Sequence, residues 1–281
     1  MSKVRNRFLG SISLFNALVA APVSADWALN MPEGVTAISR EVYGLHMTIL
    51  LICVVIGLGV FATMFYSIWK HRKSRGAVAA DFHENHKLEV VWTIIPFFIL
   101  IAMAVPAAQT LIKMEDASGS ELTIKITAYQ WMWQYEYLEQ DVAFYSRLHP
   151  DSNIARQLNS GINPSTVPNY LLEVDKPLVL PVDTKIRFLL TAADVIHAWW
   201  VPELGGKKDA IPGFINEMWA QIDTPGVYRG QCAELCGKDH GFMPIVVHAV
   251  SKEEYQTWLT SQRQAALAQT FTPHLTNSFE D

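Results

Sequence analysis

Two uninterrupted apolar runs organise the first half of the chain. Val42 to Trp69 and Val90 to Ile112 contain no Asp, Glu, Lys or Arg. Each exceeds the roughly 20 residues that a helix needs to cross the hydrocarbon core of a membrane. Transmembrane helices are therefore expected at 42–69 and 90–112. Pro96 and Pro106 interrupt the second run, but neighbouring helices can satisfy backbone groups freed inside a membrane. Tyr43, Trp69 and Trp92 lie near the run ends, at the depth of aromatic belts. A buried hairpin of a soluble protein would share this hydropathy, but two long uncharged runs so close together argue against it.

A shorter apolar run comes first. Lys3, Arg5 and Arg7 precede Phe8 to Ala21, and the small residues Val23-Ser24-Ala25 follow. That order predicts a secretory signal over 1–25, cleaved to leave an extracytoplasmic segment 26–41. A short retained anchor is the alternative.

After Met114 the pattern becomes alternating. Leu122-Thr-Ile-Lys-Ile126 and Thr184-Lys-Ile-Arg-Phe188 alternate, and Leu178-Val-Leu-Pro181 is a short apolar run. Turn clusters at Asn163-Pro164-Ser165 and Thr224-Pro225-Gly226 separate short strands, as in a sandwich or barrel. One helix is expected near the end, where Ser251 and Glu254 form a capping-box signature before Tyr255, Trp258 and Leu259. The β domain is thus placed at 113–262, with a loose polar tail at 263–281.

Charge orients these parts. Lys70, Arg72, Lys73, Arg75 and Lys87 stand between the spans against Asp81 and Glu84. The positive-inside rule puts loop 70–89 in the cytoplasm and both mature termini outside. The net charge of −5 is an average: residues 114–281 hold 12 basic and 21 acidic side chains, the first 113 hold 10 and 6. A basic partner would be steered towards such an outer domain. No basic excess exists to neutralise phosphates, so nucleic acid is disfavoured as a partner. With half its residues apolar and 17% charged, the chain is not disordered, and the mean hydropathy of +0.14 fits membrane segments added to a globular domain. Three cysteines among 281 residues make no disulfide scaffold.

Candidate chemistry concentrates between Gly230 and Pro244. Cys232, Cys236, His240 and Met243 offer two thiols, an imidazole and a thioether within twelve residues. Soft donors of this kind suit copper better than magnesium or calcium. Structural zinc takes Cys and His rather than Met. His197, in Asp194-Val-Ile-His-Ala-Trp-Trp200, is the candidate for a further ligand. The ordinary readings stand beside these. Cys232 and Cys236 could pair as a disulfide, His197 could be a satisfied core histidine, and Met243 could be packing. Cys53, in mid-span, reads as packing, and the absence of Cys-x-x-Cys-His argues against covalent haem on this chain.

The spacing Cys232-x3-Cys236-x3-His240-x2-Met243 with upstream His197 resembles the binuclear copper motif of cytochrome c oxidase subunit II. Gln130-Trp-Met-Trp-Gln-Tyr-Glu-Tyr137 resembles that family's aromatic stretch, with Met132 where a Tyr is usual. Trp92-Thr-Ile-Ile-Pro96, Leu172-Glu-Val-Asp175 and Asp209-Ala-Ile-Pro-Gly213 also fit, from about residue 40 to 260. The resemblance implies a two-helix transmembrane hairpin followed by an all-β cupredoxin-like Greek-key barrel or sandwich. It implies a binuclear copper A centre bridged by Cys232 and Cys236, capped by His197 and His240, with Met243 and the Glu234 carbonyl as weak ligands. Trp131 would be where electrons come in, and Glu136, Asp175 and Asp194 would dock cytochrome c. The Glu234 side chain would bind magnesium at the contact with subunit I, and Glu89 would open a proton path into that subunit. A helix-dipole role is the plainer reading of Glu89. The implied function is that of subunit II of the terminal oxidase, passing electrons to haem in subunit I for oxygen reduction and proton pumping. Subunit III and membrane lipid are further implied partners, and a bacterial inner membrane the implied location. A membrane-anchored copper chaperone, a quinol oxidase subunit II and nitrous oxide reductase are the rivals. The first needs an alternating helix–strand fold, the second lacks the copper ligands, and the third lacks the two-span anchor.

Overall fold

A computed structural model of the chain describes residues 30–271, so the expected signal over 1–25 lies outside the described residues. Two long helices come first, α1 at Ala37–Lys70 and α2 at His86–Glu115. Their most apolar windows, with mean hydropathies of 2.6 and 2.4, are not buried against the protein at all. Side chains such as Leu51, Phe61, Phe98 and Ile112 face outward, which is costly in water and ordinary in lipid. Both helices extend beyond the apolar runs because polar caps begin them. Thr36 and Ser39 form a capping box on α1, and the Asn85 side chain accepts from Leu88 N on α2. Pro96 and Pro106 lie within α2 without ending it. At the ends next to the β domain, Glu41 of α1 accepts from Thr110 and Lys113 of α2 at 2.8 and 2.9 Å.

The rest is two stacked five-stranded sheets. One holds, in spatial order, β3 (Val142–Ser146), β2 (Met132–Tyr137), β1 (Leu122–Tyr129), β5 (Ile186–Ala192) and β8 (Asn216–Ala220). The other holds β4 (Leu178–Pro181), β10 (Pro244–Val250), β9 (Gly226–Cys232), β6 (His197–Val201) and β7 (Gly206–Ala210). Pairing is antiparallel except for β1 with β5 and β4 with β10. The expected alternation points Leu122, Ile124 and Ile126 inward, with Ile186, Phe188 and Leu190 beside them. Phe188 meets Trp199 across the sandwich at 5.3 Å. Tyr137 OH donates to Val179 O and accepts from Val179 N, which ties the first sheet to the second. Burying each large apolar side chain contributes about 1.5–3 kcal/mol, against about 0–1 kcal/mol for an exposed ion pair. The sandwich core therefore sets the stability of this domain. One close approach matters for the site: a Cβ on Gly230 would lie 1.9 Å from Trp200 O, so only glycine lets β9 run this close to β6.

Two features differ from the sequence reading. A short helix, α3 at Pro150–Ala155, sits in the long connection between β3 and β4, where turn-forming residues masked it. The final helix, α4 at Lys252–Phe271, runs past residue 262 into what was expected to be a loose tail. Its Ser251–Glu254 capping box forms as expected. The run Arg263-Gln-Ala-Ala-Leu-Ala is built of strong helix formers, whose propensity carries the helix on. Tyr255 and Leu259 are buried, Trp258 packs on Tyr137 at 5.1 Å, and Arg263 holds Gln140 at 2.8 Å.

Both membrane helices are fastened to the sandwich. Val35 N donates to Glu203 O, Asp223 N to Val35 O, and Thr36 Oγ1 to Leu204 O. Arg40 pairs with Asp223. Gly205, at φ +81°, lies so close to α1 that a Cβ would come within 2.6 Å of Ser39 Cα. At the end of α2, Trp219 Nε1 donates to Lys113 O, Lys185 Nζ to Asp116 O and Ser118 O, and Lys208 pairs with Glu115.

Across the outer face of the second sheet, Glu173 pairs with Arg229 at 2.6 Å. Burial opposes ionisation of Glu173, but the Arg229 hydrogen bond and charge prevail and hold its carboxyl below the usual range. A depressed folded value means stability that is present above the unfolded carboxylate range and is lost as pH falls through the folded value. Glu173→Gln should therefore lower the urea midpoint of the β domain near neutral pH. The loss should vanish on acidification through the carboxylate range, read by tryptophan fluorescence at a series of pH values.

Candidate metal centre

The centre lies where β6, β9 and β10 end together. Cys232 is the last residue of β9 and stands opposite Trp199. Ala233 N donates to Ala198 O, and Cys232 N to Met243 O, so both edges of the loop that follows Cys232 are pinned. His197, first in β6, is fully buried. Its Nε2 lies 2.9 Å from Asp194 Oδ1 and its Nδ1 lies 3.8 Å from Cys232 Sγ. A proton on Nε2, donated to Asp194, leaves the Nδ1 lone pair facing the thiols. The Trp133 ring meets the imidazole edge-on at 6.1 Å.

Cys236 Sγ is 3.8 Å from Cys232 Sγ, too far for the ~2.05 Å disulfide bond, and both thiols are free. Gln130 Nε2 and Trp131 Nε1 donate to the Cys236 carbonyl at 2.8 and 3.1 Å. His240 opens a one-turn 3-10 helix, His240–Phe242, and presents Nδ1 at 3.5 Å from Cys236 Sγ. Met243 is buried with Sδ also 3.5 Å from Cys236 Sγ. The Glu234 carbonyl oxygen is 3.3 Å from Cys232 Sγ, while its side chain faces solvent. His197, Cys232 and Cys236 offer ligand atoms all within 4.8 Å of one another.

Electrostatics asks for a cation here. Burial raises the Cys232 thiol, but its hydrogen-bonding contacts with His197 and the neighbouring backbone bring it down to about 7. Burial first, and then a charge on Cys232, push Cys236 up to about 12. Asp194 is held below its usual range despite burial, by His197 and the backbone N–H groups of Val195 and Gln130. His197 is raised against its burial by Cys232 and Asp194. Two buried thiolates side by side repel, and a bound metal ion removes that penalty. Two thiols, two imidazole nitrogens, a thioether and a carbonyl converging on one buried spot fit soft copper chemistry.

The remaining sequence candidates lie elsewhere. Glu136, on the outer face of the first sheet, pairs with Lys125 at 3.0 Å. Asp175 is exposed, and its Oδ1 accepts from Arg147 N. Glu89 lies in the first turn of α2, close to Asn85 N and His86, as a helix-start carboxylate would. Asp194 instead joins the centre as the partner of His197. Trp131 is half-buried beside it, with Lys238 Nζ 5.6 Å from its ring. Sequence reasoning missed Gln130 and Trp133, whose only signal was their place in the aromatic stretch.

Comparison with known proteins places the chain in a family. Residues 122–250 match the family described as cytochrome c oxidase subunit II, periplasmic domain, and residues 24–110 match its transmembrane domain. A probable cytochrome c oxidase subunit 2 of Rickettsia bellii is 37% identical over 254 residues, covering 90% of this chain and 91% of that one. The chain belongs to the cytochrome c oxidase subunit II family. The Cereibacter sphaeroides cytochrome c oxidase subunit 2 is 33% identical, with 80% of this chain and 77% of that one covered. The crystal structure of the periplasmic domain of subunit II of cytochrome oxidase from Bradyrhizobium japonicum is 39% identical, covering 53% of this chain and 98% of that one at a TM-score of 0.47. The family is a subunit of a haem–copper oxidoreductase, and its role is electron transfer.

Within subunit II, Asp194 fixes the imidazole that faces the thiols. Asp194→Asn should weaken copper binding by roughly tenfold, the cost of losing an outer partner of a ligating histidine. Competition against a copper chelator measures it.

Proposed function

We propose that this chain is the electron-receiving subunit of a bacterial terminal oxidase, taking electrons from cytochrome c and passing them to haem in subunit I. The convergence of Cys232, Cys236, His197, His240 and Met243 in a site shielded by Trp133 and Trp199 carries the proposal. Cys232, Cys236, His197 and His240 would hold a binuclear copper centre, with Met243 and the Glu234 carbonyl as further ligands. A copper pair sharing one electron supplies single-electron transfer with little change of geometry. The protein's part is to hold the ligands rigidly and keep water out, which the β6–β9–β10 junction does. Trp131 touches the ligand loop through the Cys236 carbonyl and reaches towards the surface, which supports its role as the point of electron uptake.

Other roles follow from position. The exposed Glu234 side chain is free to meet a magnesium ion at a contact with subunit I. Glu136 and Asp175 lie on the surface for docking a basic cytochrome c, although each already has a partner. Asp194 is better assigned to orienting His197. Glu89, at the cytoplasmic start of α2, would open a proton path in the partner subunit. Subunits I and III and lipid would surround the two helices in the inner membrane, with the sandwich on the periplasmic side. The two-sheet fold weighs against a copper chaperone of alternating strands and helices.

The full-length chain in detergent, loaded with copper, should bind two ions. Its spectrum should be that of one unpaired electron shared by two copper nuclei. One ion with a single-nucleus pattern would reject the binuclear site. Trp131→Phe in the assembled oxidase should slow electron uptake from cytochrome c severalfold and leave the copper spectrum unchanged. Unaltered stopped-flow kinetics would remove Trp131 from the path.

A further inference from the structure

The loop that carries Cys236, His240 and Met243 leaves the sandwich after Cys232 and returns at Pro244. Much of it faces solvent: Leu235 is 78% exposed, and Glu234, Gly237 and Lys238 are exposed too. Ligands on such a loop keep their geometry only if neighbouring elements hold it. On its near limb Cys232 and Cys236 have that support, from Ala198, Gln130 and Trp131. On the far limb the Met243 carbonyl accepts from Cys232 N and Trp133 Nε1, which leaves the turn that presents His240 to be held by something else.

There the connection between β3 and β4 closes over the loop. Arg156 directly follows α3, and its side chain is 21% exposed. Its guanidinium donates to Asp239 Oδ1 at 3.2 Å and to Asn153 Oδ1 at 2.8 Å, and lies 4.2 Å from the centroid of the Phe242 ring. Asp239 and Phe242 flank the turn that presents His240, closed by Phe242 N to Asp239 O, and Phe242 adjoins Met243. A planar fork that donates in its plane while a ring covers its face is a role lysine fills poorly. The far end of the same connection is fixed too. Glu173 pairs with Arg229, three residues before Cys232, and its carbonyl accepts from His149 N beside α3. The connection is therefore held at β9 as well as at the far limb of the ligand loop.

We propose that Arg156 is a positioning residue of the metal centre, a latch that fixes the turn presenting His240 against the cysteine pair. The proposal rests on the copper reading above and adds a residue from outside the recognised motif. It is tested in the full-length chain in detergent, with Arg156→Gln, Arg156→Lys and Asp239→Asn. In metal-free protein, amide exchange over residues 237–243 should rise in Arg156→Gln and Asp239→Asn while β1 and β5 stay protected. With copper bound, the charge-transfer spectrum and reduction potential should move. Copper release to a chelator should quicken by roughly tenfold, as for loss of an outer-shell partner. Arg156→Lys restores the Asp239 pair without the Phe242 contact and should fall between. Unchanged exchange, spectrum, potential and release in Arg156→Gln overturn the proposal. So does fast exchange across the whole sandwich, which marks a general structural role. Should the unaltered chain take up no copper, the copper reading fails, while the exchange measurement still judges the latch.

Discussion

The closeness of two buried thiols governs this structure. Cys232 and Cys236 lie 3.8 Å apart without a covalent bond, and neither can share a charged state with the other unless a cation joins them. Holding them apart and yet adjacent requires a stiff frame. The glycine at 230 lets β9 press against β6, the pairing of Cys232 with Trp199 fixes one sulfur, and the carbonyl clasp from Gln130 and Trp131 fixes the other. The hydrophobic interior supplies that stiffness, since its large side chains outweigh the surface ion pairs.

Much of this was legible in the sequence because it depends on local periods. Two uncharged runs and the alternation around Ile124 and Ile186 are direct consequences of lipid and of half-buried sheets. The Cys232–Met243 spacing is likewise compact, so the soft donor set could be read without a fold. His197 was found because its neighbours looked buried. What stayed hidden depends on contacts distant in sequence. Asp194 read as a surface acid, whereas folding aims it at the imidazole three residues on. Gln130 and Trp133 reach the site only through the strand pairing of the first sheet and the stacking of the second. Helix α3 and the end of α4 escaped for a different reason. The first is made of polar, turn-prone residues, and the second of helix formers that lack an amphipathic pattern strong enough to read.

The charge pattern gains detail in the same way. The β domain is acidic in sum, yet the three carboxylates that the resemblance assigned to docking are engaged by Lys125, by Arg147 N and by His197. A long-range field and a local contact are separate things. The first follows from counting residues, and the second depends on which oxygen atoms remain unpaired.

The fastening of both helices to the sandwich bears on how electrons can travel. Thr36, Arg40 and Ser39 at one helix, with Lys113, Glu115 and Asp116 at the other, leave little slack between bilayer and domain. A domain on a loose tether would ferry its cargo by swinging, and its rate would follow the linker's reach. This one stands on two legs fixed to its spanning helices, so the centre keeps a set place relative to them rather than searching through space.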